Sequence, residues 1–229
     1  MRKGIYLSWV AVWLVVLLVG PVAMTDSVPA VDAELCLGAM VSLVEARFEG
    51  LRSTMQVLAL TQEVRAGDWA DIEGLLTKFS ETSIPLLAWF VRPDGSYFAV
   101  GTGLAAGNLS DRPYFPLVMS GEMTVGDIVV SRATGLKSTV ATVPVWENGS
   151  VIGALGVSVF AAELSRMVAD AVGLPQTMLF YAVNDEGQIA LHSNPDYIMH
   201  EVSELPSLIW EVSQISELVG WTFVLGETE

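Results

Sequence analysis

The stretch that decides the fold is residues 123–160, MTVGDIVVSRATGLKSTVATVPVWENGSVIGALGVSVF. It contains three runs rich in Val, Ile and Thr, which are separated by ATG at 133–135 and ENG at 147–149. Such runs are typical of β-strands, and both separators are favourable tight-turn sequences. Because strands joined by short turns run antiparallel, this stretch predicts a three-stranded antiparallel meander.

A long helix is predicted upstream of the meander. Over residues 31–66 apolar side chains recur close to every 3.6 positions, which is typical of an amphipathic helix. Gly67 is a favourable residue to end it, and Asp68 is a favourable cap for a shorter helix that runs to about Lys78.

The remaining elements complete an α+β pattern. A strand pair surrounds the turn PDG at 93–95, and a short helix follows DRPYF at 111–115. After the meander the patterns predict a helix, a second hairpin, another helix and a final strand, at 161–172, 177–193, 207–218 and 221–227. We therefore expect an antiparallel sheet with one face under the long helix and the other towards the loop that carries Arg112.

Composition excludes one class of function. The chain has 229 residues, 52% of them hydrophobic, so it can bury a sizeable core in one large domain or one domain with a small second part. Its formal net charge is -15. Nucleic-acid binding needs a basic surface that this chain lacks, so no nucleic-acid partner is expected.

The N-terminus predicts a link to the membrane. Arg2 and Lys3 precede an uncharged run over residues 4–25, which is long enough to span the roughly 30 Å hydrocarbon core. Positive charges before the run predict a cytoplasmic N-terminus, with the rest of the chain outside the cytoplasm. The alternative is a cleaved signal peptide and a secreted protein, with Ala23 or Ala30 as cleavage positions.

No enzymatic motif is present in the sequence. The two histidines, His192 and His200, are eight residues apart and have no supporting cysteine or carboxylate cluster. The chain has one cysteine, Cys36, so no internal disulfide can form. We predict no catalytic activity, no metal and no cofactor. The tryptophans after the apolar run are expected in the core: Trp69, Trp89, Trp146, Trp210 and Trp221.

These segments together resemble the extracytoplasmic Cache domain of prokaryotic sensors. The resemblance rests on WFVRPDGSYFAVG, LSDRPYF and SRATGLKSTVATVPVWENGSVIGALGVSV, and it covers roughly residues 31–225. It implies a PAS-like sheet with a small-molecule pocket in a membrane-distal part at 26–172. Residues 173–229 resemble a shortened membrane-proximal half, after an anchor or signal peptide at 1–25.

The resemblance also implies a ligand site. In the family, the arginine of the DRPYF element pairs with a ligand carboxylate and a nearby aromatic ring packs on the ligand, which here indicates Arg112 and Tyr114. Members that bind amino acids carry an aspartate at the end of the last distal strand, where this chain has Ser158. Since a serine cannot act as the counter-charge of an ammonium group, the resemblance favours a plain carboxylate or an uncharged ligand.

Each candidate also has an ordinary structural interpretation. Arg112 could be an exposed arginine near a helix start, paired with the neighbouring Asp111, although a cation near a helix N-terminus is slightly unfavourable. Three further candidates lie on predicted strands, where each side chain either faces the pocket or has only a structural packing role: Trp89, Ser131 and Thr139.

Two functions follow from the sequence. The first is a membrane-anchored sensor module that binds a small molecule and acts through a partner protein. The second is a structural or surface protein that keeps the fold without a ligand. A secreted hydrolase is disfavoured because the sequence offers no nucleophile and base pair.

Overall fold

The structure is a computed structural model that describes residues 30–228. The predicted anchor or signal segment at 1–25 lies outside this range, and the domain division at 172 stays a prediction. No helix within residues 30–228 is both long and apolar enough to cross a membrane.

Helices and strands alternate in groups along the chain, as the α+β prediction requires. The helices are α1 (Ala30–Ala59), α2 (Gln62–Ala66), α3 (Trp69–Glu81), α4 (Tyr114–Met119) and α5 (Ala161–Val172). The first group of strands is β1 (Leu86–Val91), β2 (Tyr97–Ala99), β3 (Gly103–Leu104), β4 (Thr124–Val130), β5 (Lys137–Glu147) and β6 (Ser150–Phe160). The second group is β7 (Met178–Val183), β8 (Ile189–His192), β9 (Leu208–Ser216) and β10 (Trp221–Thr228).

The first group forms a six-stranded antiparallel sheet in the order β3-β2-β1-β6-β5-β4. The predicted meander is confirmed as β4, β5 and β6. Strand β6 also pairs with β1, which places Trp89 directly opposite Gly156. Residues 105–113, here called the DRPYF loop, join β3 to α4, and the last two residues of the DRPYF motif begin that helix. The chain thus leaves the sheet at its β3 edge and returns at the opposite β4 edge.

The second group forms a four-stranded antiparallel sheet in the order β8-β7-β10-β9. The prediction of a helix at 207–218 is wrong, because this segment contains strand β9. Leu208, Trp210 and Val212 are half-buried, whereas Ile209 and Glu211 between them are exposed. This alternation has the period of a strand, and pairing with β10 satisfies the backbone of the segment.

The long helix predicted at 31–66 is two helices. α1 ends at Ala59 and α2 begins after Thr61, whose side-chain oxygen accepts a hydrogen bond from the Val64 amide. The predicted stop at Gly67 and cap at Asp68 are confirmed: Gly67 is left-handed, and the Asp68 carboxylate accepts from the Ala70 amide at 3.0 Å.

α1 covers one face of both sheets. It contacts β5 and β6 of the first sheet and β9 and β10 of the second, so apolar residues of both sheets share one core cluster. Phe48 of α1 meets Trp221 edge to face at 6.1 Å, and the Ser216 hydroxyl donates to Glu45 at 2.7 Å. The opposite face of the first sheet has a separate apolar cluster, which includes Tyr114 of α4 and lies under the DRPYF loop.

Candidate functional site

A small cavity lies between the first sheet and the DRPYF loop, on the face opposite α1. Its volume is about 10 Å³, roughly the space of one water molecule. The residues that line it come from β1, β2, β4, β6, the start of α4 and the loops beside them: Leu87, Trp89, Tyr97, Leu109, Arg112, Tyr114, Val129, Ser131, Arg132 and Ser158.

One side of this cavity is set by a tryptophan that lies across β6. Gly156 faces Trp89 across the strand pair, and a Cβ atom at position 156 would overlap the indole ring. The absence of a side chain at Gly156 therefore gives the ring its place. The indole Nε1–H donates a hydrogen bond to Ser158 Oγ at 3.1 Å, which holds the ring in this orientation.

The loop that carries Arg112 is tied to the first hairpin turn. The Leu109 amide donates to the Gly95 carbonyl at 2.8 Å, and the Asn108 side-chain amide donates to the Asp94 carbonyl at 2.8 Å. Gly95 has a φ of +81° and no room for a side chain beside Asn108. The PDG turn predicted from the sequence thus also positions the arginine.

The two arginines at the cavity differ in their partners. Arg132 makes a bidentate ion pair with Asp111, with nitrogen-to-oxygen distances of 2.8 and 2.6 Å. This contact holds the pKa of Asp111 at about 2. Asp111 therefore pairs with Arg132 and not with Arg112, which removes the ordinary interpretation of Arg112 as the partner of its neighbour.

Arg112 is held by the backbone and keeps a free donor. Its Nη2 donates to the Val130 carbonyl at 2.8 Å. Its buried Nε–H has no hydrogen-bond partner among residues 30–228, and Arg112 forms no ion pair with any carboxylate in that range. A buried N–H that lacks a protein acceptor indicates a place for water or for a ligand oxygen.

Two phenols complete the cavity wall. The Tyr97 hydroxyl is buried and has no partner within the described part of the chain. Burial raises its pKa, against the opposing effect of Arg132 and Arg112. Burial also raises the pKa of Tyr114 far above its ordinary value, and its ring packs on Trp89 with centroids 5.9 Å apart. Both phenols are thus neutral at physiological pH and can donate a hydrogen bond.

The structure brings five of the six residues predicted from the sequence to this cavity: Arg112, Tyr114, Trp89, Ser131 and Ser158. Thr139 is not among the lining residues. Successive side chains along β5 point to opposite faces of the sheet, so Thr139 and Ala141 point to the same face. Ala141 belongs to the core under α1. Thr139 therefore faces the opposite side of the sheet.

Sequence reasoning missed five of the ten lining residues, and two of these five are polar. Tyr97 adjoins the predicted hairpin turn, and its alternation with Phe98 indicates only that one of the two faces inward. Arg132 follows Ser131 directly, but its pairing with Asp111 joins positions 21 residues apart. No local pattern predicts that contact.

The chemistry of the cavity suits an anion. Two lining residues are guanidinium cations, and none of the ten lining residues is acidic. The Nε–H of Arg112 and the Tyr97 hydroxyl provide free donors. Since the closed cavity admits about one water molecule, a larger ligand requires Trp89 or the DRPYF loop to move.

Wider clefts exist elsewhere but have less directed chemistry. One of about 410 Å³ lies beside α1 and includes Arg47, Thr54 and Thr82. Another of about 330 Å³ lies between the sheets and is lined by carboxylates, including Asp127 and Glu186. Within residues 30–228 no three metal-ligating side chains converge. We place the candidate site at the small cavity because fixed cations and unpaired donors meet there.

Comparison with known proteins gives the fold. No protein-family model and no curated protein sequence matches this chain. Solved structures do match. The sensor domain of the histidine kinase DctB from V. cholerae has a TM-score of 0.68 at 13% identity, covering 86% of this chain and 96% of that one.

Two ligand complexes are also similar. The ligand-binding domain of the Pseudomonas aeruginosa amino-acid chemoreceptor PctC, in complex with GABA, has a TM-score of 0.62 at 18% identity, covering 85% of this chain and 94% of that one. The ligand-binding domain of the Pseudomonas fluorescens chemoreceptor CtaA, in complex with L-isoleucine, has a TM-score of 0.66 at 13% identity, covering 87% and 92%.

The chain thus has the fold of Cache-type sensor ligand-binding domains, over nearly the full length of those structures. The resemblance noted in the sequence is confirmed at the level of the fold. At these identities the likeness concerns architecture, and the ligand must be argued from the residues of this chain.

Proposed function

We propose that this protein is a sensor module that binds a small carboxylate at the cavity under the DRPYF loop. The observation that carries the proposal is that two arginines and two buried phenols converge with no lining acid. Arg112 is the ligand-binding cation, because its Nε–H is unpaired, whereas Arg132 is already neutralised by Asp111.

The ligand enters, in this proposal, by displacing the aromatic cover. Trp89 occupies the space above Gly156, so the closed cavity is the state without ligand. The indole ring of Trp89 and the phenol ring of Tyr114 would pack on the apolar part of the carboxylate. Ser131 contributes a hydroxyl to the lining.

The site favours a carboxylate without an ammonium group. PctC and CtaA are chemoreceptors whose structures hold GABA and L-isoleucine, both of which carry an ammonium group. Here Ser158 stands where a counter-charge for that group is expected, and its oxygen already accepts the Trp89 indole N–H. A zwitterion would thus leave its ammonium group unpaired in a cavity that is already cationic.

The same proposal covers location and partners. We infer an extracytoplasmic domain, tethered by the apolar N-terminal run or released by its cleavage, that passes its ligand state to a signalling partner protein. The similar structures belong to a histidine kinase and to chemoreceptors, which supports a role in signal transduction.

A paired thermal-shift screen tests the function. Purified chain is heated with formate, acetate, propionate, pyruvate or lactate, and in parallel with acetamide as the uncharged counterpart of acetate. Saturation at about 100 times Kd stabilises a folded protein by about 2.7 kcal/mol. At least one carboxylate should raise the melting temperature while acetamide does not. Silence across all five acids would favour the second candidate, a structural protein that keeps the fold without a ligand.

A further inference from the structure

A further cleft lies at the end of α1, shares no lining residue with the DRPYF cavity, and has a volume of about 300 Å³. That volume is at the lower end of the range typical of small-molecule sites. The cleft is lined by the C-terminal turn of α1, by α2, by the segment before β4 and by the end of β5: Gln56, Ala59, Leu60, Arg65, Gly121, Met123, Val143, Pro144 and Trp146.

The walls of this cleft are apolar side chains left open to solvent. Leu60 is 66% exposed, Trp146 45% and Met123 42%. The expectation that Trp146 belongs to the core is therefore wrong. Its ring packs on Gly121, where a Cβ atom would overlap it, so the indole has a defined position in the wall. Exposed apolar residues gathered around one cleft are more informative than the same residues scattered singly.

One cation lines the cleft. Arg65 forms no ion pair and no side-chain hydrogen bond with any residue of the range 30–228, and its Nε is buried. Glu147 lines an adjoining cleft together with Arg65 but forms no ion pair with it. An arginine beside an open apolar wall, with its guanidinium uncommitted, has the chemistry to receive an anion bidentately.

We propose that this cleft is a second binding site, which accepts a small aromatic carboxylate. The carboxylate meets the Arg65 guanidinium, and the ring packs between Trp146 and Met123. A tryptophan and a methionine both make favourable contacts with an aromatic ring. The site is separate from the DRPYF cavity, since the two share no lining residue.

The probe for this site is 4-fluorophenylacetate, followed by the width of its fluorine NMR signal as the purified full chain is added. Its matched control is the uncharged 4-fluorophenylacetamide. The fluorine signal of the acid should broaden as protein is added, and the broadening should reach saturation. The amide should bind at least about tenfold more weakly, because the amide lacks the charge-assisted contact.

Four variants locate the probe. Arg65→Gln should weaken binding by about tenfold to a hundredfold, and Trp146→Ala by about threefold to tenfold. Leu60→Glu alters an exposed position, so the variant should fold like the wild type. The introduced carboxylate should compete with the probe for Arg65 and abolish binding. Arg112→Ala should leave the affinity for this probe unchanged.

Each contrary result is decisive. Equal binding of the acid and the amide, or unchanged affinity in Arg65→Gln, would overturn the proposal. So would loss of binding in Arg112→Ala with retention in Arg65→Gln, which would place the aromatic acid under the DRPYF loop. Failure of this site leaves the DRPYF cavity untouched, because binding of the small aliphatic acids is assigned to that cavity by its loss in Arg112→Ala and its retention in Arg65→Gln.

Discussion

Each of the two sheets turns one face to α1 and the other to a covering loop, yet the two covered faces are chemically unlike. Between the first sheet and the DRPYF loop lie two arginines, and the Nε–H of one of them, Arg112, has no hydrogen-bond partner among residues 30–228. Under residues 193–207 the second sheet meets a stack of rings, in which His192 lies 6.2 Å from Tyr181 and 4.8 Å from Tyr197.

The difference lies in charge. Burial lowers the pKa of His192 to about 4, so its imidazole is neutral near pH 7 and its face is a packing surface. A guanidinium stays charged at every physiological pH, so the first face presents a permanent cation. The same architecture thus carries the proposed ligand site on one sheet and a closed aromatic stack on the other.

The largest expected effect comes from removing the aromatic cover of the first face. Trp89 is 2% exposed, and Trp89→Ala should lower the free energy of unfolding by about 3 to 5 kcal/mol in urea denaturation. The matched control is Trp146→Ala, at 45% exposure, which should cost far less. Equal losses in the two variants would mean that Trp89 does not pack as the structure shows.

The aromatic stack on the second sheet should make the stability of the protein depend on pH in the acidic range. His192 has a folded pKa below its unfolded value of about 6.5, so the unfolded chain takes up a proton first as the pH falls. Stability should therefore drop between about pH 6.5 and pH 4, by about 3 kcal/mol, and this contribution should level off below pH 4.

His192→Phe is the control for that slope, because it keeps a ring in the stack and removes the titrating group. The difference between wild type and variant across this pH window isolates the histidine. Parallel curves would show that His192 accepts a proton in the folded state, which contradicts a closed, neutral stack.

The proposed ligand preference of the first face rests on Ser158. Ser158→Asp adds a carboxylate to the lining of the cavity, and glycine or alanine should then gain about tenfold in affinity over acetate, measured by calorimetry. Ser158→Asn is the uncharged control and should not favour either amino acid. If the aspartate variant keeps the wild-type preference, the serine does not exclude ammonium groups.

The smallest effect concerns the orientation of β5. The buried hydroxyl of Thr139 has no partner within residues 30–228, so Thr139→Val should change stability by less than about 1 kcal/mol and leave ligand affinity unaltered. The control is Thr142→Val, which breaks a 2.8 Å hydrogen bond with Thr124 and should cost about 1 kcal/mol or more. A loss of affinity in Thr139→Val would place this residue in the site.

Much of this fold is predictable from local pattern. The meander, the first hairpin and α5 follow from strand composition, turn residues and helical periodicity, all of which act over a few neighbouring residues. Strand β9 is the exception. Leu208, Trp210 and Val212 fit a period of two, but Ile209, Val212 and Ile215 also fit a helical spacing, and only pairing with β10 decides between them.

The site is predictable in part for the same reason. Arg112 and Tyr114 belong to one short motif, so their joint presence at the cavity follows from the sequence. The pairing of Asp111 with Arg132, and the place that Gly156 gives to Trp89, depend on segments brought together by the sheet. These long-range contacts determine which arginine is free and how much space the closed cavity has.

The most direct test of the central claim is the affinity of Arg112 variants for the small carboxylate that gives the strongest thermal shift. By isothermal titration calorimetry, Arg112→Ala should bind it about tenfold to a hundredfold more weakly than wild type, since a charge-assisted hydrogen bond contributes about 1.5 to 3 kcal/mol. Arg112→Lys should recover only part of the loss, because an ammonium group cannot make the bidentate contact. Unchanged affinity in Arg112→Ala, with the fold intact by circular dichroism, would contradict the account and show that the DRPYF arginine is part of the scaffold.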